Sequence, residues 1–529
     1  MNDSVARQLD ALFEVWNHTN SPGLVVGVAH RGRTIYRRAF GMASLETRVA
    51  NTPATRMRIG STSKHFTCLL LLLLAEEGKI EVDASIRTYI PELVGPAGDP
   101  SVIQLMRHRG GSRCYVDLGF LTSGLKPRDP GFAFETYLRQ RGRNCAPGQA
   151  MIYNNGGYQL LSVAAERVTG VPFEQLLADR LFAPLRMQAT ASVPSDYTIT
   201  SGIATQHLPQ GQGTWRRGLF PSREIKGEGG IVSTVDDMLC WAGHLTRQDH
   251  FGSPATWAQF LVPHPGADPT LGAYALGIRL SNYRGLRTIG HTGGVIGGSC
   301  DMLCVPDEHL ELVLLVNGAP GVTAELSRRV VDIVLADRVG PLDPHPAASD
   351  FKAWIGQWWS PATGMVYGLV DDQGVLKLQI CAQPYDMDLK LTREGRVILP
   401  EAYLGEIAFE FQADNLRISS AGETQDYTRL RPDEVDRALF EREIIGNYFS
   451  EDANARATIV RSNTGLQMTL GDGFGESIGP VDALGPDVAE LGRASEAYGC
   501  VIQLIRESGR VQGFELNSAR TRHLEFRRV

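Results

Sequence analysis

The apolar and polar positions of residues 1–335 alternate between helical and strand periodicities. Residues 1–20 place their apolar side chains on one side of a predicted amphipathic helix. The stretch GLVVGVAHRGRTIYRRAFG predicts two strands joined by a turn at residues 30–32, and residues 287–318 predict a second set of strands. A long, mostly helical insert separates the two sets. Strands at both ends with helices between them predict an α+β fold, in which an antiparallel sheet is flanked by helices.

The pattern changes after residues 339–350 (VGPLDPHPAASD), which predict a proline-rich linker. Short alternating strands follow, and residues 355–380 resemble residues 445–470, which indicates an internal repeat. Two small antiparallel β-barrels are the natural interpretation of this repeat. We therefore predict the following boundaries: a first domain at 1–338, the linker at 339–350, and barrels at 351–436 and 437–529.

The second repeat contains a glycine-rich stretch that the first repeat lacks. This stretch is LGDGFGESIGPVDALGPD, residues 470–487, and its composition predicts a long loop. Long loops in compact domains are usually functional or disordered. We therefore treat residues 470–487 as a candidate functional loop.

The longest apolar run follows a lysine, in RIGSTSKHFTCLLLLLLAEEGK at residues 58–79. Ser61 and Lys64 stand three residues apart where the helical periodicity begins, so their side chains share a helix face. Burial and the positive potential of a helix N-terminus both disfavour a charged ammonium, and a neutral amine could accept a proton from a serine hydroxyl. The ordinary alternative is an N-cap serine followed by an exposed, snorkelling lysine.

Two further stretches favour the catalytic interpretation. Tyr153 and Asn155 precede an amphipathic helix, and a phenol beside a lysine can shuttle a proton. His291 and Gly293 lie in GHTGG at the start of the second strand set, where glycine lets a ligand backbone approach closely. Taken singly, each could be a core tyrosine, a turn asparagine or a strand-end histidine. Their joint occurrence in this order points to a serine nucleophile.

Composition excludes several classes of function. Of 529 residues, 43% are hydrophobic and 21% charged, with a net charge of −7 and no basic block, so we expect no nucleic-acid partner. The N-terminus lacks the features of a secretory signal, and the apolar run at 68–75 is too short to span a membrane, so we expect a cytoplasmic protein without membrane contact. The eight cysteines form no C-x-x-C pair and the twelve histidines no metal-binding motif. We therefore predict neither a cofactor nor a metal, and free thiols.

The three motifs together resemble those of the penicillin-recognising serine hydrolases, which include class C β-lactamases, D,D-carboxypeptidases, esterases and D-aminopeptidases. That family carries Ser-x-x-Lys, then Tyr-x-Asn, then Lys/His-x-Gly, and residues 61–64, 153–155 and 291–293 match in that order. Residues 227–245 also look like its Gly-Gly-x-x-Ser-Thr segment and following helix. The resemblance covers about the first 335 residues and implies a β-lactamase/transpeptidase-like catalytic domain.

The two C-terminal barrels look like those of the D-stereospecific aminopeptidases. In that group a loop from the last barrel restricts the active site and helps to read the free amine of the substrate. The resemblance makes residues 470–487 the candidate loop. Its acids suit an ammonium partner, and of Asp472, Glu476, Asp482 and Asp487 we favour Asp482 as a substrate-binding residue.

Two departures from the family pattern bear on the substrate. His291 stands where β-lactamases usually carry lysine, and a histidine binds a carboxylate less securely at neutral pH. This weakens recognition of β-lactams and C-terminal carboxylates, and it fits the aminopeptidase and esterase branches. Residues 105–115 (LMRHRGGSRCY) occupy the position of a usual THTSGL motif with different residues, which leaves substrate contacts there undefined.

The expected reaction is acyl transfer from small D-amino-acid amides, esters or short peptides. By the resemblance, Ser61 attacks the carbonyl and Lys64 and Tyr153 share proton transfer, with the choice of general base left open. Backbone N–H groups of Ser61 and Gly294 hold the oxyanion.

The same resemblance implies that His291 acts in catalysis by orienting Tyr153 and the leaving group. It also implies that Asn155 holds the substrate and Lys64, and that Gly293 contributes to substrate binding. The alternatives are an esterase, a D,D-carboxypeptidase or a β-lactamase-like hydrolase, or a non-catalytic binding protein. Whether the chain forms a homodimer stays open.

Overall fold

The computed structural model describes residues 3–263, 273–318, 323–380, 386–400, 407–412, 415–420, 423–471, 476–492 and 499–529. Contacts between Cα atoms group the chain into two compact units. The first unit comprises residues 1–84, 128–130 and 158–342, and the second comprises residues 85–127, 131–157 and 343–529. The domain boundaries expected from the sequence stay predictions.

An antiparallel sheet lies at the centre of the first unit. Its described strands number seven and are, in spatial order, Ala273–Tyr274, Arg279–Tyr283, Leu286–Val295, Gly298–Val305, Leu310–Val316, Leu24–His30 and Arg33–Phe40. The two ends of the unit meet because Leu24 pairs with Val316 and His30 with Leu310. The prediction of an antiparallel sheet built from both ends is confirmed.

Helices cover both faces of this sheet. Val26 and Val28 share a buried cluster with residues of the helices Asp3–Phe13 and Thr323–Val334. The intervening Gly27 faces the helix Val235–Arg247, whose Leu239 would lie 3.0 Å from an added Cβ. Because successive residues of a strand point to opposite faces, the helices lie on opposite sides. The fold is therefore the predicted α+β arrangement of a sheet between helices.

The first unit has further described elements besides the central sheet and these helices. Its other α-helices are Lys64–Glu76, Phe173–Leu177 and Pro254–Phe260, and Asn155–Thr169 starts in the second unit and continues in the first. A π-helical turn spans Ala178–Phe182, and 3-10 turns span Glu14–Trp16, Gly60–Ser63 and Pro306–Glu308. The short strands are Met42–Ser44, Val49–Ala50, Met57–Arg58, Ala191–Ser192, His207–Gly211, Thr214–Arg217 and Ile231–Ser233.

The second unit contains two antiparallel β structures, as the sequence predicted. The first is a barrel-shaped sheet whose described strands are, in spatial order, Met387–Asp388, Val375–Ile380, Val366–Asp372, Gly356–Trp359, Glu423–Arg429, Asn415–Ser420, Ile407–Gln412, Val397–Leu399 and Lys390–Leu391. The second is a closed barrel of Gly446–Ser450, Ala455–Ser462, Gly465–Leu470, Ser477–Ala483, Val488–Leu491, Cys500–Glu507, Arg510–Asn517 and Leu524–Arg528. The α-helices described in this unit are Val102–Met106, Tyr115–Ser123, Phe132–Arg139 and Arg437–Ile444, and 3-10 turns span Ile86–Thr88, Pro96–Gly98, Ala348–Trp354 and Pro432–Glu434.

The internal repeat is visible in matching side-chain contacts. In the first β structure the Arg429 guanidinium lies 4.7 Å from the Trp358 ring and donates to the Ile355 carbonyl at 3.0 Å. In the closed barrel the Arg528 guanidinium lies 5.1 Å from the Tyr448 ring and donates to the Ile445 carbonyl at 3.1 Å. Each repeat therefore joins its last strand to its first through an arginine stacked on an aromatic ring, a contact that also satisfies a backbone carbonyl.

The structure differs from the predicted loop at residues 470–487. Ser477–Ala483 is a strand of the closed barrel, with buried and exposed residues in strict alternation. Its inward positions are the small or apolar Ser477, Gly479, Val481 and Ala483, a pattern that the glycine and proline content obscured. Residues 472–475, which include Asp472, lie outside the described residues.

A helix of the N-terminal half packs into the barrel core of the second unit. Leu118 and Leu121, from the helix Tyr115–Ser123, belong to the same buried cluster as Met468 and Phe514 of the barrel strands. An added Cβ on Gly471 would lie 2.2 Å from the Thr122 carbonyl oxygen, which shows how closely helix and barrel approach. The barrel and this helix therefore share one hydrophobic core.

We expect Leu118→Ala to lower the free energy of unfolding by about 3 kcal/mol, because truncating a buried leucine leaves a cavity. Leu118 is 2% exposed. The matched control is Leu138→Ala on the helix Phe132–Arg139, where the leucine is 43% exposed and the loss should stay below about 1 kcal/mol. Urea unfolding followed by circular dichroism measures both variants. Equal losses would contradict a shared core.

Candidate functional site

The turn before the leucine-rich helix sets the position of Ser61. Residues Gly60–Ser63 form a 3-10 turn that runs directly into the helix Lys64–Glu76, and the six leucines at 69–74 are all buried. Gly60 has a φ of +51°, a conformation that favours glycine. The buried leucines therefore anchor a helix whose first turn presents the serine.

The Lys64 side chain is fully buried and meets Ser61. Its Nζ lies 3.0 Å from the Ser61 Oγ and donates to the Glu228 carbonyl oxygen at 2.7 Å. The same atom lies 5.2 Å from the centroid of the Tyr158 ring. A buried amine this close to a hydroxyl is within reach of direct proton transfer. The alternative of an exposed, snorkelling lysine is wrong.

Residues around 227–231 hold the turn in place. Thr67 Oγ1 donates to the Gly227 carbonyl at 2.9 Å, and the Ile231 N–H donates to Ser63 Oγ at 3.2 Å. The same segment supplies the Glu228 carbonyl to Lys64. The backbone of residues 227–231 is therefore hydrogen-bonded to the 3-10 turn and to the start of the helix.

The strand Leu286–Val295 approaches the serine turn at two glycines. A Cβ added to Gly293 would lie 1.8 Å from the Ile59 carbonyl oxygen and 3.2 Å from the Ser61 nitrogen. A Cβ added to Gly60 would lie 3.0 Å from the Gly294 nitrogen, whereas one added to Gly294 would meet nothing within 4 Å. The backbone nitrogens of Ser61 and Gly294 thus lie on neighbouring segments, and Gly294 borders open space.

His291 is a buried residue of this same strand, and its surroundings favour the neutral ring. Tyr274 donates its hydroxyl to His291 Nε2 at 3.0 Å when Nδ1 carries the proton and donates to the Thr292 carbonyl. Burial lowers the pKa of His291 well below its ordinary value, and nearby His65 and Arg279 act in the same direction. A neutral imidazole offers a substrate carboxylate no positive charge.

Sequence reasoning missed the aromatic cluster that surrounds His291. The His65 ring meets the His291 ring edge-on at 5.8 Å, and Trp241 donates from Nε1 to His65 Nδ1 at 3.3 Å. Burial and the neighbouring Lys64 lower the pKa of His65 to about 3. The available signal was a polar residue directly after Lys64, inside an otherwise apolar helix, which calls for a buried partner.

Tyr153 and Asn155 belong to the second unit, at and just before the start of the helix Asn155–Thr169. Tyr153 is 3% exposed, and its ring centroid lies 4.1 Å from that of His108. His108 Nδ1 accepts a hydrogen bond from the Asn154 N–H at 3.0 Å. The unusual LMRHRGGSRCY stretch therefore supplies a histidine that packs against Tyr153.

Three of the four acids considered for the substrate amine, Glu476, Asp482 and Asp487, lie among the described residues and fall in different settings. Asp482 is exposed on the strand Ser477–Ala483, directly opposite Glu490 of the next strand, so the two carboxylates are near neighbours. Asp487 is paired with Arg506 at 2.6 Å, and Glu476 is exposed. The role of Asp482 in substrate binding stays a prediction.

The structure thus brings Ser61, Lys64, His291, Gly293 and Gly294 together in the first unit. Their meeting with Tyr153 and Asn155 stays a prediction. Within the described ranges, no three His, Cys, Asp or Glu side chains are grouped to hold a metal ion. The helices described here include none with the length and apolar character needed to cross a bilayer.

Comparison with known proteins agrees with these motifs. Residues 3–336 match the Beta-lactamase family model. A D-aminopeptidase from Brucella melitensis is 27% identical over 475 residues, which is 88% of this chain and 87% of the relative. A D-aminopeptidase from Brucella anthropi is 27% identical over 528 residues, covering 97% of this chain and 96% of the relative. The octameric penicillin-binding protein homologue from Pyrococcus abyssi superposes with a TM-score of 0.57 at 19% identity, covering 81% of this chain and all of the homologue.

We expect Gly293→Ala to lower the free energy of unfolding by about 1–3 kcal/mol, because its Cβ would collide with the Ile59 carbonyl oxygen and force the strand away. Gly294→Ala is the matched control, since its Cβ meets only open space, and its effect should stay within about 0.5 kcal/mol. Denaturant unfolding of both variants tests the close approach. A Gly293→Ala protein as stable as Gly294→Ala would contradict it.

Burial of His65 makes the protein less stable as the pH falls below about 6.5. The pKa of His65 in the folded protein is about 3, below the ordinary value of 6.5. Between these two pH values the unfolded chain binds a proton that the folded protein does not bind. The contribution is present above pH 6.5 and is lost at about 1.4 kcal/mol per pH unit below it. Between pH 7 and pH 5, His65→Asn should therefore lose about 2 kcal/mol less than the wild type in urea unfolding. Parallel losses would show that His65 becomes protonated in the folded state.

Proposed function

Because the chain belongs to the beta-lactamase family of serine hydrolases, we propose that it is a D-aminopeptidase, which releases N-terminal D-amino acids from peptides, amides and esters through a covalent acyl-enzyme. Small residues such as D-Ala are the proposed substrates. The observation that carries this proposal is the Ser61 Oγ at 3.0 Å from the buried Lys64 Nζ, which places the nucleophile beside one of its two candidate bases. The relatives named D-aminopeptidase support the choice of substrate class.

In the proposed acylation step, Ser61 Oγ attacks the carbonyl carbon of the D-residue. The hydroxyl proton passes to Lys64 Nζ or to the Tyr153 phenolate as the Oγ–C bond forms. The developing oxyanion accepts hydrogen bonds from the backbone N–H groups of Ser61 and Gly294. Each such donor contributes about 10²–10³ in rate when it is preorganised.

Breakdown of the tetrahedral intermediate expels the leaving amine, which takes back the proton as the C–N bond breaks. Water then attacks the acyl-enzyme and releases the free D-amino acid, with the same groups acting in reverse. In this proposal Asn155 holds the substrate and His291 orients Tyr153. A neutral His291 suits a role in positioning.

Recognition of the free amine requires an anionic partner. We keep Asp482 as the proposed partner because its carboxylate is exposed on the strand Ser477–Ala483. An exposed carboxylate can form an ion pair with a cationic amine. Asp487 is a weaker choice, since Arg506 already neutralises it.

We expect turnover of D-Ala-p-nitroanilide but not of its L-isomer or its N-acetylated form. Ser61→Ala should abolish this turnover, because the attacking Oγ is removed, while circular dichroism and melting temperature stay unchanged. Ser201→Ala, at an exposed serine of the same unit, is the matched control and should retain full activity.

Nitrocefin and a chromogenic ester, run in parallel, separate the other members of the family. Activity only on the ester or the β-lactam, or equal activity on the N-acetylated substrate, would be consistent with Ser61 as the nucleophile. Either result would refute recognition of the substrate's free amine. A lack of labelling of Ser61 by a fluorophosphonate would favour a non-catalytic binding protein.

A further inference from the structure

A charged residue of the closed barrel lies on the ring of Tyr153. Arg520 stands in the connection between the strands Arg510–Asn517 and Leu524–Arg528. Its guanidinium carbon lies 4.8 Å from the centroid of the Tyr153 ring, within the range of a cation–π contact. Both residues belong to the second unit. A residue near the C-terminus therefore touches the tyrosine to which the proposed mechanism assigns proton transfer.

The backbone around Arg520 is fixed by partly buried hydrogen bonds. Asn144 Nδ2 donates to the Arg520 carbonyl at 2.9 Å, and Asn144 Oδ1 accepts from the Arg522 N–H at 2.8 Å. Arg113, which is 2% exposed, donates from Nε to the Arg522 carbonyl at 2.9 Å and pairs with Asp452 at 2.6 Å. The connection is therefore held at several points to the segment that precedes Tyr153.

The Arg520 side chain is also oriented by a buried acid. Its Nη1 lies 3.7 Å from Asp117 Oδ1, and Asp117 is 2% exposed on the helix Tyr115–Ser123. Among the described residues of the second unit, the charged or titratable groups near the Tyr153 ring include Arg520 on one element and His108 on another, with Asp117 behind Arg520. His108 Nδ1 accepts a hydrogen bond from the Asn154 N–H, as a neutral ring does. The Arg520 guanidinium, by contrast, is charged at every pH of interest.

We propose that Arg520 is a positioning residue for Tyr153, which holds the ring and favours its phenolate during proton transfer. This inference rests on the proposed function. The phenolate oxygen takes the Ser61 proton as the Oγ–C bond forms, and the phenol returns that proton to the leaving nitrogen as the C–N bond breaks. Arg520 keeps its own proton throughout, because a guanidinium does not ionise in this pH range.

A purely structural arginine would have a different signature. Loss of packing lowers the rate by the same factor at every pH, whereas loss of a cation beside a phenolate moves the ascending limb of the pH–rate profile to higher pH. An opposite charge within about 4–6 Å moves such a titration by about one pH unit or more. The pH profile therefore separates an electrostatic role from a structural one.

The experiment uses the full chain and measures the rate of fluorophosphonate inactivation of Ser61 between pH 5 and pH 10. This reaction needs an activated Ser61 but no D-amino acid. We expect Arg520→Met to react about 10-fold more slowly at pH 7, with its ascending limb about one pH unit higher. Arg520→Lys keeps the positive charge, so its ascending limb should lie close to that of the wild type. The matched control is Arg522→Met, which removes an arginine from the same connection. In the wild type the Arg522 guanidinium lies 3.8 Å from the Glu423 carboxylate, and the variant should follow the wild type.

An unshifted limb in a folded Arg520→Met protein would overturn the proposal, and so would an equal shift in Arg522→Met. If Arg520→Met does not fold, as judged by circular dichroism, Arg520→Gln tests the same point, since it removes the charge and keeps a donor for Asp117. A wild-type protein that is not labelled at Ser61 would instead refute the proposed function. The two failures are therefore distinguishable.

Discussion

The burial of one amine against one hydroxyl is the constraint on which the first unit depends. Removing a lysine from water is costly unless its polar hydrogens find acceptors. Lys64 finds them in the Ser61 Oγ and in the Glu228 carbonyl. The leucines of the helix Lys64–Glu76 bury its stem and thereby place the amine where proton transfer is short. The turn at Gly60 and the segment 227–231 support this burial, because they position Ser61 and supply the Glu228 carbonyl as an acceptor.

The buried histidines extend the same principle. His65 and His291 lie ring to edge, and burial keeps both neutral. Neutral rings can accept hydrogen bonds from Trp241 and Tyr274, whereas protonated rings could not, because both of their nitrogens are donors. The cost is that the Lys/His-x-Gly position carries no positive charge for a carboxylate. This chemistry favours substrates recognised through another group, in line with the proposed aminopeptidase.

The second unit joins residues that are far apart in the chain. Its closed barrel shares a core with the helix Tyr115–Ser123, and Arg113 and Asn144 bind the connection that carries Arg520. The ion pair of Arg113 with Asp452 is well buried on the arginine side, which requires a partner at that place. The barrel is therefore tied to the segment containing Tyr153 by specific polar contacts as well as by apolar packing.

The sequence by itself determined the local features of this protein. Helical periodicity placed Ser61 and Lys64 on one face, the turn residues at 30–32 marked a hairpin, and the order of the three motifs identified the family. It could not reveal the strand Ser477–Ala483, because glycine and proline weaken a strand signal that burial inside a barrel restores.

Only the tertiary structure decided the partners: Glu228 for Lys64, Tyr274 for His291 and Arg520 for Tyr153. Periodicity is a property of neighbouring residues. Such contacts depend on which distant segments fold together, and no local pattern records that choice.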